Sequence, residues 1–199
     1  LTFDIFRSRM FTGGVLAAVG GMFVLAGVEL MTTQKLQLID ELTPLAAGAT
    51  VAVMAAAAIP ASALGGAYLH AVGFLPLIAV GFAGAAVGAG VLVAGGTWIG
   101  LMLLGLSAGS VMSVSSIAII GSAPMHRSGM AAGVEEVSYE LGTLVTVALT
   151  GSLLQAGLDR GVEYTVAYNS VIAVLGVAAA AFCVATAVCF RGNPKSGGA

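Results

Sequence analysis

Six apolar runs, each long enough to cross a bilayer, decide what this chain can fold into. They occupy residues 10–31, 42–64, 72–94, 97–121, 129–158 and 165–190, and a spanning helix needs about 20 residues. A span has no water to bond, so it must satisfy its backbone internally, as a helix or in a closed barrel. Barrel strands alternate polar and apolar residues over units of about ten. These runs do not alternate. The expected fold is all-α and polytopic: one domain of six transmembrane helices across residues 1–199, ending in a tail at 191–199.

Composition enters as a check on that reading. Only 8% of the residues are charged and 59% are hydrophobic, where a soluble domain carries about 25% charge. Lipid must therefore be the solvent for most of this surface. A net charge of −2 without basic clusters gives nucleic acid nothing to bind. Cys183 and Cys189 are six apart in the last run and point to different helix faces, which suits packing better than a disulfide or metal. The glycine spacings sit inside apolar runs, not at strand–helix junctions, so they do not cradle phosphate. No nucleophile elbow or metal-ligand spacing is visible, so neither an enzyme, a metal nor a cofactor is expected.

The links are short and polar. The first contains Thr33, Gln34, Lys35, Gln37, Asp40 and Glu41; the second lies around His70; the third is Gly95 and Gly96. Met125 to Ser128 make the fourth, with Ser128 the expected N-cap of the fifth helix, and residues 159–163 the fifth. Six spans put both termini on one side. Arg7, Arg9, Arg127, Arg191 and Lys195 fall there, against Lys35 and Arg160 on the other. The positive-inside rule makes the termini cytoplasmic and the protein a multi-pass component of the cell membrane. Trp98 then sits at the outer interface as an aromatic anchor. Glycine pairs four apart, Gly84/Gly88, Gly96/Gly100, Gly105/Gly109 and Gly129/Gly133, predict close helix–helix contact in lipid. The chain opens on Leu1, and the run after it is too long for a signal peptide. It reads as a piece of a longer protein.

One run is not purely apolar. The fifth carries Glu135, Glu136 and Glu140 within two turns. An acid inside a span costs several kcal/mol unless it is paired, hydrated or neutralised. Counted from Ser128 at 1.5 Å per residue, the three lie roughly 10–18 Å along the axis, within the cytoplasmic half of the hydrocarbon. Glu136 and Glu140 share a face; Glu135 shares its stripe with Tyr139. Carboxylates there suit a site that exchanges protons and binds cations. Glu29, near the outer end of the first run, is a further candidate for an outer vestibule; it also stands within reach of Lys35.

Three stretches carry a resemblance. Asp4, Arg7 and Arg9 in DIFRSRMFT, the segment from Gln34 to Gly48, and Arg127 to Gly142 with its Glu135-Glu136 pair and Glu140 resemble the ninth helix lead-in, the following outer loop and the thirteenth helix of fourteen-helix drug/proton antiporters. These belong to the major facilitator superfamily, in the quaternary-ammonium and methyl-viologen efflux branch. The resemblance implies one major-facilitator-type half, built as a 3+3 inverted repeat, whose N-terminal half is missing. It implies proton-driven efflux of lipophilic cations, with the proton gradient as the only energy source and Glu135, Glu136 and Glu140 in proton coupling or drug recognition. An exporter of a small metabolite on the same scaffold, or a non-transporting membrane scaffold subunit, are the rival readings.

Overall fold

The structure is a computed structural model that describes residues 8–190. Asp4, Arg7, Arg191, Lys195 and the 191–199 tail lie outside the described residues. Among these there are six long helices and no strand: α1 (Arg9–Leu38), α2 (Pro44–Val72), α3 (Phe74–Val93), α4 (Thr97–Gly121), α5 (Ser128–Asp159) and α6 (Tyr164–Phe190). All six are long and apolar enough to span a membrane, so the chain is a multi-pass membrane protein.

Local chemistry sets the helix ends. Ser8 caps α1 by accepting the Phe11 amide at 3.4 Å, and Thr43 caps α2 at the Ala46 amide, with Pro44 at the first helical position. Hydropathy misplaced two of the ends. Thr33 to Gln37, expected in a link, continue α1 to Leu38, and the chain breaks only beyond it, where Glu41 takes φ 53°. His70, also expected in a link, lies in the last turn of α2, which runs to Val72 and stops at Gly73 with φ 90°. At 1.5 Å per residue α1 is about 45 Å long, more than the hydrocarbon thickness of about 30 Å, so its polar end projects beyond the lipid. There Lys35 pairs with Asp40 at 2.9 Å, not with Glu29. Ser128 is likewise not a cap. It is the first residue of α5, and its hydroxyl donates to the Met125 carbonyl at 3.0 Å, closing a 3₁₀ turn over Met125–Arg127.

Packing places α1 and α4 at the centre, each with 56% of its apolar stretch buried. α2 lies along α4 and α5 along α1; α3 packs on α4, α6 on α1, and α3 and α6 on each other. Exchanging α1, α2 and α3 for α4, α5 and α6 maps these main pairings onto themselves. This exchange symmetry is the pairing that a 3+3 repeat would show.

Glycine makes the closest approaches possible. A Cβ at Gly105 would collide with the Met54 carbonyl, and one at Gly109 with that of Ala58, so α4 and α2 meet backbone to backbone. At the corresponding α5–α1 contact, Gly142 lies against the Val19 carbonyl and Gly27 beneath Thr146. Phe23, Phe82 and Phe182 fill the space among α1, α3 and α6, with ring centroids 5.9 and 6.0 Å apart.

Candidate functional site

α5 has one buried stripe: Ala131, Ser138, Gly142, Thr146, Thr150 and Leu154. Small side chains let it lie close along α1. At about 100° per residue, two residues from Ser138 in either direction is about 200° of turn. Glu136 and Glu140 therefore stand opposite the buried stripe, and both are exposed in this chain. They are one turn apart on an open face, as the spacing predicted. Neither makes a hydrogen bond or ion pair with any described residue.

Glu135 is placed differently. It lies on the flank of the buried stripe that turns toward α4, and it is half-buried. Tyr139, one turn on, donates its hydroxyl to Glu135 Oε1 at 2.8 Å. Ser115 of α4 lies near the Tyr139 hydroxyl. Phe11 and Val15 of α1, Ile119 of α4 and Val134 of α5 pack around this ring. The shared stripe of Glu135 and Tyr139 is thus a bonded pair, packed against α1 and α4.

The structure does not bring Glu29 to this cluster. Gly142 packs beside Met22 of α1. Glu29 is two turns beyond Met22, about 10 Å farther out along the axis. It is the exposed member of a stripe spaced three and four apart, Val15, Val19, Met22, Ala26, Glu29 and Thr33, that is otherwise half-buried. It belongs to the same open side of the bundle but to its outer end.

Two sequence expectations need correction or addition. Gly129 and Gly133 do not meet a neighbouring helix: a Cβ at either finds nothing within 4 Å. Each is two turns before an exposed acid, Glu136 and Glu140 respectively, so they continue the same open face. Gly84/Gly88 and Gly105/Gly109 meet a neighbouring helix as expected, and so does Gly100, whereas Gly96 lies in the α3–α4 turn against Val91. Ser115 was missed. It is fully buried, and the signal was present in the crowding of Ser110, Ser113, Ser115 and Ser116 within one apolar run.

No family model matches the chain. Curated proteins do. The methyl viologen resistance protein SmvA of Salmonella typhimurium is 32% identical over 166 residues, covering 80% of this chain and 34% of that protein. The multidrug efflux pump LfrA of Mycolicibacterium smegmatis is 32% identical over 171 residues, covering 82% of this chain and 34% of its own length. The chain thus spans about a third of the length of the curated relatives it matches.

Proposed function

We propose that this chain is the C-terminal six-helix half of a major-facilitator-type antiporter that exports lipophilic cations in exchange for protons. The observation that carries the reading is the open face of α5. Glu136 and Glu140 stand side by side there, about 12 and 18 Å along a helix long enough to span a bilayer, with no partner among the described residues. A charged side chain at a helix centre costs about 3 kcal/mol against lipid. Such a face is stable only against water or protein, as in a cavity shared with a second bundle. The relatives' names and their roughly threefold greater length support this reading. So do the small residues on the exposed faces of α2 and α5, including Gly48, Ala52, Ala56 and Ala63 on α2 and Gly129 and Gly133 on α5, which would let a second bundle approach closely.

The chemistry follows from the carboxylates. When ionised they attract a cation; when protonated they do not. A proton and a cationic drug competing for them disfavour one another, and that mutual exclusion couples the two flows. No cofactor is needed beyond the proton gradient. The Lys/Arg bias supports cytoplasmic termini in the cell membrane, which a cysteine replacing Arg160 tests, since it should react from outside intact cells.

The decisive experiment uses the complete encoded protein in proteoliposomes. Glu136→Gln and Glu140→Gln should preserve folding and each lower ethidium-type efflux. Dications should lose more, roughly tenfold or greater, because each lost carboxylate removes twice the Coulomb attraction. Wild-type pH dependence in both single variants and in the double variant would make the cluster structural and end this reading.

A further inference from the structure

The serine-rich stretch of α4 and the acidic turn of α5 meet at one point. Tyr139 lies there, bonding Glu135 at 2.8 Å with Ser115 near its hydroxyl. Ser115 donates its own proton to the Met112 carbonyl at 2.9 Å. That carbonyl is one turn back in the same helix. Tyr139 thus donates to the half-buried Glu135 carboxyl, with Ser115 of α4 close by. An ionised carboxylate is the natural partner for that donor, because it accepts and cannot donate. Its bond from Tyr139 is charge-assisted and about twice as strong as the neutral form left after protonation. This tether within α5, Tyr139 on Glu135, is therefore strong or weak according to the charge on Glu135.

The neighbouring acids lack this arrangement. Glu136 and Glu140 stand on the open side of α5, Glu136 about 100° round the helix from Glu135, exposed and unbonded among the described residues. A cation meets unbonded carboxylates there, whereas at Glu135 it competes with the Tyr139 hydroxyl bonded at 2.8 Å. We infer that Tyr139, with Ser115 behind it, is a positioning residue that reserves Glu135 for the proton and leaves Glu136 and Glu140 to the cationic cargo. The inference rests on the export reading and divides its labour.

Few charged groups surround Glu135. α4 carries no ionisable side chain along its whole length. α1 carries Arg9 at its start and Glu29 and Lys35 toward its outer end; the turn before α5 carries His126 and Arg127; α5 itself carries Glu136 and Glu140 beside the bonded pair. Tyr139 holds the closest polar contact to Glu135 that the described residues offer.

The test compares Tyr139→Phe, Ser115→Ala and Glu135→Gln in the complete encoded protein. Tyr139→Phe should leave the folded yield and the affinity for ethidium within about twofold of wild type. It should move the midpoint of the efflux pH profile to the alkaline side by about 0.5 unit or more, since the ionised carboxylate loses a donor. Ser115→Ala should shift it the same way by less. Neither should add to Glu135→Gln. If Tyr139→Phe does not fold, Ser115→Ala, which removes a single oxygen, decides by the same readouts. An unmoved pH profile overturns the inference, as does an affinity loss as large as that of Glu136→Gln. An infrared measurement separates this inference from the reading beneath it. The carboxyl stretching band that disappears in Glu135→Gln should shift in Tyr139→Phe with no cargo present. A shifted band in a protein that moves no cation leaves the tether standing and fells the export reading. An unshifted band in a working exporter does the reverse.

Discussion

α5 and α6 are left bare by the rest of the chain to nearly the same degree: 22% and 28% of their apolar stretches are buried. Their chemistry is opposite. α6 has the highest mean hydropathy of the six, 2.6, and α5 the lowest, 1.5. The large exposed side chains of α6 are Val166, Val174, Val177, Val184 and Val188. The exposed side of α5 mixes Val137, Leu141 and Leu144 with Glu136, Glu140 and open glycines. Exposure in a six-helix membrane bundle therefore has two meanings. The α6 surface is finished, because lipid solvates valine. The acidic stripe of α5 is unfinished, because lipid does not solvate carboxylate, and something polar or close-fitting must cover it.

The largest effect that would break this contrast is steric. Gly142→Leu should abolish folded protein in detergent, since even a Cβ there meets the Val19 carbonyl and Phe23 amide. Forcing α5 off α1 should cost more than about 3 kcal/mol. Val177→Leu on α6 should leave the yield unchanged. Comparable yields for the two would mean that α5 is not anchored along α1 as described.

Charge swaps test the two solvents directly. Val177→Glu should destabilise the protein by about 3 kcal/mol in bilayers, read as loss of folded fraction in a denaturant titration. Glu140→Leu should change stability by less than about 1 kcal/mol if its face meets water or protein. A stabilisation as large as the Val177→Glu loss would place the acidic stripe in lipid and remove the contrast.

Water access gives a smaller but sharper reading. With Cys183 and Cys189 replaced by Ser, a cysteine at Glu140 should react with a hydrophilic maleimide roughly tenfold faster than one at Val177, because thiolate forms where water reaches. Equal rates would show α5 to be as dry as α6. The smallest expected effect lies on the α6 side. Thr32 and Tyr168 share a buried hydrogen bond of 3.2 Å between α1 and α6, and Thr32→Val should cost about 0.6 kcal/mol, the usual worth of such a bond between spans. No measurable change would mean that aliphatic packing alone holds α6.

Hydropathy located every span, and α4 came out at 97–121 at both ends, because the Gly95–Gly96 turn, with φ 89° at Gly95, coincides with the edge of its apolar run. α1 and α2 ran past their apolar edges to Leu38 and Val72. Hydropathy marks where a segment leaves lipid, whereas a helix ends where a residue leaves the helical region, here near Glu41 and at Gly73. The site was legible in part. A trio of acids in an apolar run stands out against its cost, and spacing alone put Glu136 with Glu140 and Glu135 with Tyr139. Ser115 did not stand out, since a serine in a span can bond its own helix, as Ser107 and Ser122 do.

The sequence by itself determined that this chain lives in a membrane as six helices, and that one of them carries acids. Transfer energies depend on residue type and length, and both are written in order along the chain. Only the tertiary structure decided which glycine pairs are contacts and which are open, since equal spacing put Gly105 and Gly109 against α2 but left Gly129 and Gly133 bare. It alone decided what Glu135 and Glu136 each face. Adjacent in sequence, they differ by about 100° of helical turn, and whether that turn points at α4 or away from the bundle depends on how α5 is rotated against α1. That rotation is set by the fit of Ser138, Gly142 and Thr146 along α1, a long-range match that no local pattern records.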